Sequence, residues 1–135
     1  MAVQIYLPEK VYVSPSSIHG YGIFAKSRIG KGEIIEECTV IGLDLHVNDS
    51  CWHVLEHYRF MWPSMSPKKQ VIPTGYGALY NHSNSPNAAW KSSEPRETFF
   101  FYAIRDIEQN EEICTYYGGE DYWGQGNRMN PEELK

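Results

Sequence analysis

The stretch Gly75-Tyr76-Gly77-Ala78-Leu79-Tyr80-Asn81-His82-Ser83-Asn84-Ser85-Pro86-Asn87 constrains this chain more than any other. Its first half is small and apolar, suited to a crowded interior. Its second half crowds amides, an imidazole and hydroxyls into a few positions. A buried polar group left unpaired costs about 1 to 3 kcal/mol, so either a folded loop or a ligand has to meet them. Taken alone, Asn-His-Ser-Asn reads as an Asx-type turn with Pro86 closing it.

For a length of 135 residues one domain with a single core is expected. Ten tyrosines and 14% aromatic residues describe a globular chain rich in amphipathic rings. A net charge of −5 argues against direct binding of nucleic acid and suits a basic peptide or a cationic ligand. Cys38, Cys51 and Cys114 are odd in number and widely spaced, which indicates neither a disulfide framework nor a zinc knuckle. The N-terminus shows no basic region leading into an apolar run, and no window approaches a membrane span. An intracellular protein is expected, cytoplasmic in a bacterium or in the host nucleus for a viral or eukaryotic chain.

Along the chain, Val11-Tyr12-Val13 reads as a short strand broken by Ser14-Pro15-Ser16-Ser17. Residues 20–25 formally match G-x-G-x-x-A, but Gly30 and Gly32 follow too soon for the helix a dinucleotide site needs. A Rossmann-type nucleotide binder is therefore the weakest reading, and a tight turn with a closely approachable backbone fits better. Residues 33–41 read as a strand with Ile34 and Ile35 buried. Asp49 caps an expected helix running to Trp62, with Trp52, Leu55 and Tyr58 on its apolar face and Pro63 ending it. Residues 63–73 read as a loop. Residues 98–104 are the strongest strand, and a turn at 106–110 leads to another at 111–117, ended by Gly118-Gly119. The polar segment 124–135 reads as a frayed tail. His53 and His57 stand at i, i+4 on the expected helix, yet with His46 they make no complete ligand set, so no metal is expected.

Three features now stand in fixed order: Gly20-Tyr21-Gly22, Asn81-His82-Ser83 with Pro86-Asn87, and Glu111-Glu112-Ile113 followed by Tyr116-Tyr117-Gly118. That order resembles the SET domain, the fold of protein-lysine methyltransferases that use S-adenosylmethionine, over about residues 11–123. The resemblance implies a mostly β, α+β fold of small curved sheets with short helices, in which the C-terminal strand passes under a loop in a knot-like packing. It implies that the Gly20-Tyr21-Gly22 backbone cradles the methionine end of the cofactor. Asn81 and His82 would hold the cofactor, and Tyr117 would stand at the methyl-transfer centre. Tyr58 resembles the tyrosine lining the lysine channel in small viral members, and Trp123 the aromatic that closes over the adenine. Many nuclear members carry a cysteine after Asn-His-Ser and a cysteine-rich zinc tail. This chain has Asn84 there and no cysteine after Cys114, so no zinc is expected.

The residue types suit such chemistry. A lysine amine with an ordinary pKa near about 10.4 must lose its proton before it attacks a sulfonium methyl group. A narrow apolar channel beside a cation disfavours the ammonium, and tyrosine hydroxyls orient the lone pair. Glu111 and Glu112 read as solvent-facing or backbone-bonding, not catalytic. The resulting expectation is a minimal methyltransferase acting on a lysine-containing basic protein such as a histone, releasing S-adenosylhomocysteine. Substrate would enter along an edge strand, and a homodimer is compatible with the chain's size. The alternative is a catalytically silent SET-like module that binds peptide or cofactor.

Overall fold

The computed structural model describes residues 4–43, 58–62 and 69–116. Tyr117, Trp123, Cys51, His46, His53, His57, the polar tail and most of the expected helix lie outside the described residues. Among those described, the strands are β1 (Val11–Pro15), β2 (Tyr21–Ala25), β3 (Ile34–Leu43), β4 (Phe60–Trp62), β5 (Lys69–Pro73), β6 (Asn81–His82), β7 (Ala88–Ser93), β8 (Thr98–Ala103) and β9 (Glu112–Thr115). No helix occurs among them, and so none there is long and apolar enough to cross a membrane.

The strands form two sheets. One runs β1-β2-β9-β6 and the other β4-β5-β3-β8-β7. Every pairing is antiparallel except β6 with β9, which is parallel. A parallel neighbour cannot be reached by a tight hairpin, so residues 83–111 travel through β7 and β8 before the chain returns beside β6.

The β1-β2 hairpin closes through Ser16 N–H donating to Gly20 O at 2.7 Å, with Gly20 at φ +48°. Glycine meets that left-handed conformation without steric cost. The turn therefore ends at Gly20, and Tyr21 and Gly22 already belong to β2. β8 turns Phe99, Phe101 and Ala103 into the core at alternate positions, as a half-buried strand must. Tyr80 stacks on Phe101 at 4.5 Å between ring centroids, and Phe60 packs against Phe99 at 5.4 Å.

Three expectations are corrected. The helix ending at Trp62 gives way at 60–62 to β4, paired with β5 through Phe60↔Val71 and Trp62↔Lys69. Phe60 and Trp62, two residues apart, share one face of a strand, whereas the expected helical stripe runs through Tyr58 at three- and four-residue steps, and pairing with β5 decides between them. The expected loop over 63–73 contains β5, which pairs with Val40–Leu43 across Ile41↔Ile72. Its lysine, glutamine and proline hide a strand with a fully buried Val71. In β3 the buried run is not the Ile34–Ile35 pair but Ile35, Glu36, Glu37 and Cys38. A β-bulge between Ile34 and Glu36 breaks the alternation, which lets neighbouring side chains turn inward.

Candidate active site

The site forms where the first sheet brings β2, β6 and β9 together. Parallel pairing sets Asn81 opposite Cys114 and His82 opposite Thr115. Asn81 and His82 are each only 5% exposed, so their polar atoms need internal partners. Asn81 Nδ2 donates to His19 O at 3.1 Å and to Glu112 Oε2 at 2.8 Å. The same carboxylate accepts Ser16 Oγ–H at 2.8 and 2.9 Å to its two oxygens. One glutamate of β9 thus ties the hairpin turn after β1 to the first residue of β6.

Gly22 lies beneath this junction. A Cβ there would run into Glu112 Oε2 and stand 3.0 Å from Asn81 Nδ2, so any larger residue has to push the Glu112 carboxylate aside. The reading of Glu112 as solvent-facing or backbone-bonding is therefore corrected. A glutamate in an amphipathic strand gives no sign of such a role, and its partner Ser16 lies far away in sequence.

Asn87 supplies a second tie. Its Nδ2 donates to Glu112 O at 2.8 Å and to Glu111 Oε2 at 2.9 Å, while its Oδ1 accepts Cys114 N–H at 2.8 Å. The carboxamide acts as an extra backbone unit beside β9. Arg105 also reaches Glu111 at 3.0 Å. The Glu111 carboxyl lies below its ordinary range, burial being outweighed by hydrogen bonds from Asn87 and the Glu108 N–H and by Arg105.

His82 Nε2 lies 3.0 Å from Asn84 Oδ1, and its ring faces that of Tyr116 at 5.3 Å between centroids. Beside Tyr116 opens a recess of about 290 Å³, lined by Pro86, Ala88, Ala89, Trp90, Ile104 and Tyr116. Tyr21, at the start of β2, is exposed. Tyr58 is 47% exposed at the turn before β4, and among the described residues no hydrogen bond joins it to Asn81 or Glu112. The structure therefore gathers Gly22 and Asn81 at one junction with His82 next to it. The described residues gather no group of three or more His, Cys, Asp or Glu suited to a metal ion.

The SET-domain family model matches residues 20–118, from the hairpin turn to the end of the third motif. The chain belongs to the SET-domain family. This SET domain is 31% identical over 120 residues to the Schizosaccharomyces pombe histone-lysine N-methyltransferase specific for H3 lysine-37, covering 84% of this chain and 80% of that protein. A solved Plasmodium falciparum protein, provisionally assigned as a histone methyltransferase, superposes with a TM-score of 0.69 and 31% identity over 83% of this chain and 96% of its own. The Neurospora SET-domain protein DIM-5, a histone lysine methyltransferase, shares the fold at a TM-score of 0.65 and 16% identity, over 81% of this chain and 52% of that one. The curled, mostly stranded sheets and the parallel β6-β9 pair are thus a SET-domain architecture.

Proposed function

We propose that this SET domain transfers a methyl group from S-adenosylmethionine to a lysine side chain of a basic protein, with histones as the first substrates to test. On this reading residues 1–135 act as one domain, with a core over about 11–123. The observation that carries it is the parallel pairing of β6 with β9. It puts Asn81 opposite Cys114 and His82 opposite Thr115, the latter two residues before Tyr117 in the sequence.

The residues present fit such a cofactor. Asn81 uses its Nδ2 on His19 and Glu112, and its Oδ1 has no hydrogen-bond partner among the described residues. Apart from its chain neighbours, no atom of the described residues lies within 4 Å of where a Cβ on Gly20 would be. An acceptor oxygen beside an open backbone turn suits the ammonium of an amino-acid end. Gly20, Tyr21 and Gly22 would line that end, His82 would flank it, and Trp123 would cover the adenine. When bound, the cofactor supplies an electrophilic methyl group on a sulfonium.

The chain's own part is to strip, orient and shelter the amine. Apolar walls such as those of the Trp90–Tyr116 recess disfavour the charged ammonium and favour its loss of a proton to water. The Tyr117 and Tyr58 hydroxyls would orient the lone pair, and their ring faces would favour a methylammonium by about 0.5 to 2 kcal/mol each. The acidic balance of the chain suits a lysine-rich partner.

The test has two stages. S-adenosylmethionine should raise the melting temperature, because it binds the folded form alone. The wild type should then label mixed histones from a radiolabelled methyl donor, and Tyr117→Phe should label them far less. Equal labelling by both proteins would remove Tyr117 from the centre. Stabilisation with no labelling of any substrate would make the protein a binding module.

A further inference from the structure

Glu36 is 1% exposed, and no cation answers it among the described residues. Burial pushes its carboxyl above the usual range, against the hydrogen bonds from Tyr80, Tyr76 and Cys38. A buried carboxylate without a counter-ion is costly, and an apolar residue of similar size would avoid that cost. What the carboxylate does locally is specific. Its Oε1 accepts Tyr80 Oη–H at 2.6 Å, a length typical of a charge-assisted bond, and its Oε2 accepts Tyr76 N–H at 3.2 Å.

These two donors stand at either end of one turn. Between them Leu79 N–H closes on Tyr76 O at 2.8 Å. The approach depends on Gly75, which has φ +66° and where a Cβ would lie 2.5 Å from Glu36 Oε2. Gly77 allows the next turn of chain to pack on Pro73 and Cys38, whose side-chain atoms would meet a Cβ there at 2.6 and 3.1 Å. Tyr80 is then fixed a second time by stacking on Phe101. The residue after Tyr80 is Asn81.

We infer that Glu36, though on the other sheet, is a positioning residue for the cofactor site: by holding Tyr76 and Tyr80 together it sets where Asn81 and His82 emerge. The inference rests on the methyltransferase reading for its consequence and on the hydrogen bonds above for its geometry. Glu36→Gln puts an N–H against one of the two donors. Tyr80→Phe is the milder variant, removing one hydroxyl while keeping the ring on Phe101.

Both variants should weaken S-adenosylmethionine binding, measured by calorimetry, by about tenfold to a hundredfold, the range that small misplacements bring. The KM for a histone substrate should stay within about twofold, because a partly unfolded sample loses active protein rather than changing KM. Amide exchange over residues 75–82 should quicken in the free protein before the rest of the sheet. The double variant should lose little more than the worse single one, as expected for partners in one contact. Donor binding equal to wild type in Tyr80→Phe, with only the melting temperature lowered, would reduce Glu36 to a structural role and overturn the inference. If the wild type binds no donor, the methyltransferase reading fails separately. Unchanged exchange at 75–82 in both variants would then still refute the positioning.

Discussion

The Asn81 carboxamide donates to Glu112 at 2.8 Å, so β9 holds the first residue of β6 by its side chain as well as through the sheet. Backbone pairing sets register, but it leaves an amide free to rotate. The Glu112 contact fixes which way the amide faces, and its oxygen has no hydrogen-bond partner among the described residues.

Gly22 tests this arrangement. A methyl group at Gly22 would displace Glu112, and forcing atoms into a filled site costs about 1 to 3 kcal/mol. Gly22→Ala should therefore lower stability in urea unfolding and weaken S-adenosylmethionine binding. Glu112→Ala should do the same by stranding Asn81 and Ser16. The double variant should be no worse than Glu112→Ala alone, since the alanine at 22 then meets no carboxylate. Additive losses would show that Gly22 matters for another reason.

Asn87 should be one of the least replaceable polar residues for stability. It is buried, and its carboxamide answers Glu112 O, Glu111 and the Cys114 N–H. Asn87→Ala leaves backbone groups of β9 unpaired, at about 1 to 3 kcal/mol for each. Asn87→Asp keeps the acceptor for Cys114 but loses both donated bonds and faces the Glu111 carboxylate. Both should fold less stably at neutral pH. The aspartate variant should regain stability as the pH falls and its new carboxyl takes up a proton, and the alanine variant should not.

Much of this could be read from residue order, and the reasons for the rest are physical. Asn81, His82 and Asn87 announced themselves because so many polar groups in a short apolar setting require partners. β8 was legible from its unbroken aromatic run. β4 and β5 were not, because strands of three and five residues carry too little periodicity to outweigh a competing helical stripe or three prolines. Glu36 and Glu37 look like a solvated pair, yet both are buried. Their partners Tyr80 and Arg96 lie 44 and 59 residues away, a distance that only the folded sheet removes.

Acid should unfold the protein partly through Glu37. Arg96 donates to it from Nε at 2.6 Å and from Nη2 at 2.8 Å, and Thr98 Oγ adds a bond at 2.7 Å. The Arg96 hydrogen bond, with help from Thr98 and the Tyr6 N–H, holds the Glu37 carboxyl below its ordinary value of 4.5 against the opposing effect of burial. A depressed folded value means that the folded state binds the proton less well than the unfolded chain. The stabilisation is therefore present above 4.5 and is lost as the pH falls through the folded value. Glu36 works with the opposite sign. Its raised value gives a contribution that is full below 4.5 and lost as the pH rises through the folded value. Urea unfolding from about pH 7 to about pH 3 should show a steep acid limb in the wild type and a flatter one in Arg96→Ala. Equal slopes would mean that this ion pair has no part in acid sensitivity.

Trp90 should separate substrate binding from cofactor binding. Its ring meets Phe60 edge-on at 5.1 Å and forms one wall of the recess beside Tyr116. It is half-buried, so Trp90→Ala should cost less than the about 3 to 5 kcal/mol of a fully buried tryptophan. Trp90→Phe keeps an aromatic edge for Phe60 and gives up only the outer part of the wall. If the recess takes the aliphatic stem of the incoming lysine, a smaller ring widens it and weakens the apolar contact that disfavours the ammonium. Steady-state kinetics of Trp90→Phe should then show a raised KM for the protein substrate, several-fold at about 0.8 kcal/mol for each methylene that loses its contact. The KM for S-adenosylmethionine should not move, because the Asn81-Glu112 junction is untouched. A change confined to the cofactor KM would assign the recess to the donor instead of the lysine.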